Sequence, residues 1–229
     1  MKKLIVGLVM LCIGLPSSQA QQTETRALSS FKGIKVSQAI DAYLKKGDKE
    51  SARIEVTGGS TVDVVTVVEG SSLRIKMRDG RNFWNKINVK VYVTYVTLER
   101  ISASSASSVF SEGVIKTDHI DINASSAANV EVSLDANSSM VDTSSAGEVV
   151  LEGKCPNLEV EASSAGDVDA YRLESETVIA HVSSGGEAKL SVSKNLEAHA
   201  SSGGDIRYRG NPSRTNTHSS SGGSVKKSN

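Results

Sequence analysis

The sequence predicts an all-β fold, a right-handed parallel β-helix or solenoid with rungs of about 19–20 residues. Three observations lead there. The pair Ser-Ser followed by Ala or Gly returns at Ser104, Ser125, Ser144, Ser163, Ser183, Ser201 and Ser220, in steps of 21, 19, 19, 20, 18 and 19 residues. Counted from each first Ser, offset +5 reads Val109, Val130, Val149, Val168, Ala188, Ile206, Val225, and offset −3 reads Ile101, Ile122, Val141, Val160, Ala180, Ala198, Thr217. No stretch sets apolar residues at helical spacing against this pattern. A short period with recurring apolar positions marks units that bury their apolar faces only by stacking on one another, and parallel crossovers in one sheet are almost always right-handed.

Taken in order, Met1 to Ala20 carries Lys2 and Lys3, an apolar run from Leu4 to Leu15, Pro16 and the small-x-small end Ser18-Gln19-Ala20. That is the pattern of a cleaved secretory signal peptide. The expected mature chain, residues 21–229, is a single solenoid domain without a second apolar run of the roughly 20 residues a membrane span requires. Over 21–100, short alternating runs such as Ile34-x-Val36, Ile54-x-Val56, Leu73-x-Ile75-x-Met77 and Val89-x-Val91-x-Val93 read as strands punctuated by Gly47-Asp48, Gly58-Gly59, Gly70-Ser71 and Asp79-Gly80. Ile34 and Ile54, like Val36 and Val56, stand 20 apart, so irregular early rungs, together with capping strands, are expected before the regular coil of 101–225.

Within the regular coil, odd offsets share one face. Extending that parity through the turn predicts that the second serines, Ser105, Ser126, Ser145, Ser164, Ser184, Ser202 and Ser221, point inward as a structural ladder at a narrow edge. The +3 residues Ser107, Ala128, Gly147, Gly166, Gly186, Gly204 and Gly223 are expected beside them. The serines are not read as nucleophiles, since no unit places Gly-x-Ser-x-Gly between a strand and a helix.

Phe31-Lys32-Gly33-Ile34-Lys35-Val36-Ser37-Gln38-Ala39-Ile40-Asp41, Gly47-Asp48-Lys49-Glu50, Leu73-Arg74-Ile75, Ile87 to Thr94 and the repeated Ser-Ser-Ala/Gly motif resemble the putative auto-transporter adhesin head, or GIN domain, family of exported Bacteroidetes proteins. The resemblance spans about Thr23 to Val225. It implies an exported β-helix-like protein and brings no catalytic residues.

Three constellations are candidate sites. Arg81, Phe83, Trp84 and Lys86 combine an aromatic pair with bases, chemistry suited to a sugar face or a protein partner; the alternative is a loop covering the core. Offset +4 reads Ser108, Asn129, Glu148, Asp167, Glu187, Asp205, Ser224, an outward column whose carboxylates suit calcium or, more simply, turn amides. Offset −2 reads Ser102, Asn123, Asp142, Glu161, His181, His199, His218, placing three of the four histidines in consecutive rungs next to Glu161. Such a column suits zinc; the alternative is solvated surface.

Without Lys2 and Lys3 the chain has 24 basic and 26 acidic residues, a net charge of −2 that provides no field for nucleic acid or anionic membrane. Cys155 is then the sole thiol, so no internal disulfide forms. The function expected is a non-catalytic, adhesin-like binding or structural protein, in the periplasm, at the outer membrane or on the cell surface, facing a glycan or a cell-surface protein. A polysaccharide lyase or glycosidase on a β-helix is the alternative, but monotonous carboxylate columns, 4% aromatics and the lack of a long loop to wall off a cleft disfavour it.

Overall fold

The computed structural model describes residues 21–80 and 87–228, and apart from one 3₁₀ turn, Thr61–Asp63, its elements are strands. In chain order these are β1 (Gln21–Ala27), β2 (Gly33–Ser37), β3 (Asp41–Lys46), β4 (Ser51–Thr57), β5 (Val64–Glu69), β6 (Ser72–Met77), β7 (Asn88–Tyr95), β8 (Arg100–Ser104), β9 (Ser108–Ser125), β10 (Asn129–Ser144), β11 (Glu148–Lys154), β12 (Asn157–Ala162), β13 (Asp167–Val182), β14 (Glu187–Ala200), β15 (Asp205–Arg209), β16 (Arg214–Ser219) and β17 (Ser224–Lys227). From β8 onward every pairing is parallel, and the rungs stack in register. Val109 lies opposite Val130, Val130 opposite Val149, Val149 opposite Val168, Val168 opposite Ala188, Ala188 opposite Ile206 and Ile206 opposite Val225. The +5 column is fully buried as far as Ile206, and the −3 column as far as Ala198. Each buried Val or Ile contributes about 1.5–3 kcal/mol relative to an exposed one.

The narrow edge is a tight turn, and here the structure corrects the parity argument. At each repeat the second Ser and the following Ala or Gly both have positive φ, as do Gln38 and Ala39, which form a turn of the same kind in the first rung. Across these turns φ is 48–66° at the first central residue and 55–77° at the second. Two consecutive left-handed residues define a type I′ turn. The N–H of the +3 residue closes it onto the first Ser carbonyl, at 2.8 Å in Gly166→Ser163 and 2.9 Å in Gly147→Ser144. The turn interrupts strand alternation, so Ser105, Ser126, Ser145, Ser164, Ser184, Ser202 and Ser221 are exposed, while the +3 residues from Ser107 to Gly204 are buried. The second serines do form a ladder, but of carbonyls on the outside. Ser126 O accepts from Ala106 N–H at 3.0 Å, Ser145 O from Ala127 N–H at 3.0 Å, and so on to Ser221 O from Gly203 N–H at 3.2 Å.

The N-terminal region is a first rung plus a cap, arranged otherwise than the 20-residue spacing suggested. β2 and β3 form a rung, but its next neighbour is β8–β9: Ile34 lies opposite Ile101, Val36 opposite Ala103 and Ala42 opposite Val109. On its other side β6 pairs with β2 and β7 with β3, both parallel. Ile54 and Val56 do not stack on Ile34 and Val36. They lie in β4, antiparallel to β7 and opposite Val91 and Val89, with β1 antiparallel on the far edge of β4 and β5 antiparallel to β6. Antiparallel strands cover this end of the coil. At the other end the last rung replaces Leu196, Ala198 and Ala200 with Thr215, Thr217 and Ser219, all exposed, so the open end is hydroxyl-lined along β16, while Val225 of β17 still packs on the core opposite Ile206.

Cys155 sits at the second bend beside Pro156. It is fully buried, its thiol donates to the Asn157 carbonyl at 3.3 Å, and burial pushes its pKa up to about 11. Native protein at pH 8 should therefore react with a thiol reagent at least about 100-fold more slowly than unfolded protein; equal rates would contradict the buried placement. The turn predicts an opposite pair of effects. A Cβ at Gly166 would come within 2.6 Å of the Thr143 carbonyl oxygen, so Gly166→Ala should lower stability by ~1–3 kcal/mol. Ser164→Gly, which relieves a left-handed non-glycine residue, should hold or raise stability by up to ~1 kcal/mol in denaturant unfolding. A destabilised Ser164→Gly with a tolerated Gly166→Ala would reverse the assignment.

Candidate functional site

In-register stacking turns every outward offset into a lane of side chains across the coil. The most distinctive lane lies on the sheet after the turn and follows the pairing order Arg53, Tyr92, Tyr43, Phe110, Glu131, Val150, Asp169, Lys189, Arg207, Lys226. Each of its aromatics is flanked along its strand by buried apolar residues: Val91 and Val93 around Tyr92, Ala42 and Leu44 around Tyr43, and Val109 before Phe110. The three rings therefore stand on the outer face, half-buried. They stack on one another, with centroids 5.0 Å apart at 18° for Tyr43 and Tyr92 and 5.4 Å apart at 24° for Tyr43 and Phe110. The Arg53 guanidinium caps the far face of Tyr92 at 4.0 Å. Stacking and the cap use the ring faces at one end of the ladder, leaving the Phe110 end for a partner.

Beyond Phe110 the surface opens. The register between β9 and β10 shifts between Phe110–Glu131 and Val114–Ser133, where Gly113 has a φ of 116°. This bulge lets the Ser111 hydroxyl accept from the Ser133 N–H at 2.9 Å. A groove of about 160 Å³ results, lined by Phe110, Ser111, Glu131, Val132, Ser133, Val150, Glu152 and Arg172. Its polar groups are held in place: Glu152 accepts from the Ser133 hydroxyl at 2.6 Å and pairs with Arg172 at 3.4 Å, and Glu131 accepts from Asn129 at 2.9 Å. The groove thus sets an aromatic wall beside fixed carboxylates and a guanidinium, offering apolar contact together with hydrogen-bond acceptors and donors.

Arg81, Phe83, Trp84 and Lys86 lie outside the described residues. In the +4 column, which runs Glu148, Asp167, Glu187, Asp205, bases from the neighbouring lane reach the last three carboxylates. Lys189 lies 3.4 Å from Glu187 and 3.8 Å from Asp167, and Arg207 lies 2.8 Å from Asp205 and 3.3 Å from Glu187. Burial raises the Asp167 pKa, and nearby Glu187, Glu148 and Asp169 add to the rise, against the pull of Lys189.

The −2 column is assembled as its spacing implies: Glu161 lies opposite His181, His181 opposite His199 and His199 opposite His218. The rings of His181 and His199 stack at 5.1 Å and 15°, and those of His199 and His218 at 6.1 Å and 48°. Among the described residues no three His, Cys, Asp or Glu side chains already converge as a metal centre.

The aromatic lane was missed from sequence because Tyr43, Tyr92 and Phe110 do not follow the 19–20-residue period. The available signal was local: an aromatic between two inward apolar residues must face outward.

The model of the family described as "Putative auto-transporter adhesin, head GIN domain" matches residues 30–212. Among solved structures, the chain is similar to a putative adhesin from Bacteroides fragilis, at 22% identity over 94% of this chain and 100% of that one, with a TM-score of 0.78. It is similar to a putative adhesin from Parabacteroides distasonis at 21% identity, 91% and 97% coverage and a TM-score of 0.74. A putative lipid binding protein from the same organism aligns at 17% identity, 91% and 97% coverage and a TM-score of 0.69. Identities this low speak to the fold. No curated protein matches.

The Asp167 shift sets the sign of a pH effect. A carboxyl whose folded pKa is raised above its unfolded value disfavours folding when ionised, and that cost is relieved as pH falls through the folded pKa toward the unfolded one. Asp167→Asn, an amide like Asn129 at the same offset, should match or exceed wild-type stability at pH 7. That advantage should shrink as pH falls toward 4. A variant less stable at pH 7 whose deficit closes on acidification would show instead that attraction to Lys189 dominates.

Proposed function

The chain belongs to the family of putative auto-transporter adhesin head, or GIN, domains, and from that premise we propose that it is an exported, non-catalytic binding protein that takes a glycan in the groove at the Phe110 end of its aromatic lane. The single observation that carries the reading is the ladder of Tyr92, Tyr43 and Phe110, capped by Arg53 at one end and opening onto Glu131, Glu152 and Arg172 at the other. The Phe110 ring suits the C–H face of a sugar, while the two carboxylates accept from hydroxyls and Arg172 donates to them. Shallow and built on strands rather than loops, the groove suits grip more than chemistry, which needs a walled, water-excluding cleft. Among the described residues no helix is long and apolar enough to cross a membrane.

The test is titration of residues 21–229 with ligands selected on a glycan array. Phe110→Ala should weaken binding about tenfold or more, equivalent to about 1.4 kcal/mol, and Arg172→Ala, which leaves the ring stack intact, should weaken it too, with both variants still folded at the assay temperature. Glycan binding indifferent to both substitutions would move the site elsewhere. Saturable release of cleaved product would overturn the non-catalytic reading.

A further inference from the structure

We propose a second, independent site: a divalent-ion site of the zinc class held by Glu161, His181 and His199 on the sheet before the turn. Three features of that surface carry it. Register is the first, since Glu161, His181 and His199 are direct partners on three successive rungs. Neighbouring rungs lie about 4.8 Å apart, and two imidazole nitrogens share a zinc when each is about 2.0–2.1 Å from it. The parallel rings of His181 and His199, 5.1 Å apart, need only tilt toward each other to bring their nitrogens into that range. Access is the second: the Glu161, His181 and His199 side chains, with Asp142, line one open groove of about 290 Å³.

Charge is the third feature. The lane on one side of the histidines reads Met140, Glu159, Ile179, Glu197, Asn216, and the lane on the other side reads Ser144, Ser163, Ser183, Ser201, Ser220. Counting Asp142 and Glu161 in the column itself, four carboxylates and no Lys or Arg occupy these lanes. Glu197 accepts from or pairs with His199 Nε2 at 3.1 Å, which fixes the orientation of that ring and leaves Nδ1 as the ligand nitrogen unless the ion displaces Glu197. The local field therefore favours a cation, the donor set of two imidazoles and one carboxylate suits zinc, and water completes four-coordination. The ion gathers its ligands from the stack rather than finding them converged, so binding should abolish the parallel ring arrangement.

Calorimetric titration of residues 21–229 with zinc chloride at pH 7.5 tests this. One saturable ion per chain is expected. His199→Ala and Glu161→Gln should each lower affinity at least tenfold while leaving the zinc-free melting temperature unchanged, because both side chains are on the surface. His119→Ala, which removes the one histidine outside the column, hydrogen-bonded to Asp121 at 2.7 Å and Ser138 at 2.9 Å, should leave affinity unchanged. No saturable binding, one ion per two chains, or affinity that His199→Ala leaves intact would overturn the site. Equal loss in His119→Ala would do the same.

Discussion

The structure depends on one backbone constraint, a type I′ turn repeated at the same point of successive rungs. Two adjacent residues in the left-handed region cost a non-glycine chain energy at every repeat. The stack recovers it in two ways. Inside each turn the +3 N–H closes on the first Ser carbonyl; between turns the Ala or Gly N–H reaches the second Ser carbonyl of the next rung, so hydrogen bonding between rungs continues into the bend. The small +3 residue follows from the same geometry, because at Gly166, Gly186 and Gly204 the backbone of the preceding rung lies where a Cβ would stand. Where Ser107 takes that place, its hydroxyl is turned to use, donating to Val36 O at 3.0 Å and accepting from Ser104 N–H at 3.1 Å.

Once the turns fix register, surface chemistry becomes one-dimensional. A residue type repeated at one offset meets its own kind about 4.8 Å away, which like charges tolerate poorly. In the acidic +4 lane Lys189 and Arg207 reach in from the adjacent lane and offset part of that repulsion, while burial still leaves the Asp167 pKa raised. The aromatic lane and the histidine lane exploit the same spacing in the opposite sense, since flat rings stack well at this distance. Their positions on opposite sides of the turn give one molecule two chemically unlike surfaces, one of phenyl and phenol rings and one of imidazoles.

The two ends solve the open-edge problem differently. At the N-terminal end the chain leaves the coil after β3, builds β6 and β7 as an outer rung, lays β5 and β4 antiparallel against it, and returns to β8 on the other side of β2–β3. That detour makes β3 the middle strand between β7 and β9, and so it creates the aromatic lane. At the C-terminal end Thr215, Thr217 and Ser219 replace the apolar inward residues along β16, which makes that half of the last layer compatible with water.

From the sequence alone the repeat period, the inward columns at −3 and +5, and the histidine column at −2 could all be read, because each is a statement about offsets within a periodic strand, and in-register stacking converts equal offsets into neighbours. The turn itself was misread at Ser105, Ser126 and their equivalents: alternation holds only along an extended backbone, and the sign of φ at two successive residues is set by closure of the bend against adjacent rungs. Non-periodic pairings were beyond reach for a related reason. Ile34 and Ile54 share a spacing that fits the repeat, yet Ile54 runs antiparallel in β4 while Ile34 meets Ile101, 67 positions on in the chain. The same long-range choice joined Tyr43 to Tyr92 and Phe110. Periodicity determined which residues lie inside each rung; only the tertiary structure decided which rungs touch, because contact between distant segments is selected by packing of the whole stack and leaves no mark at a fixed interval in the chain.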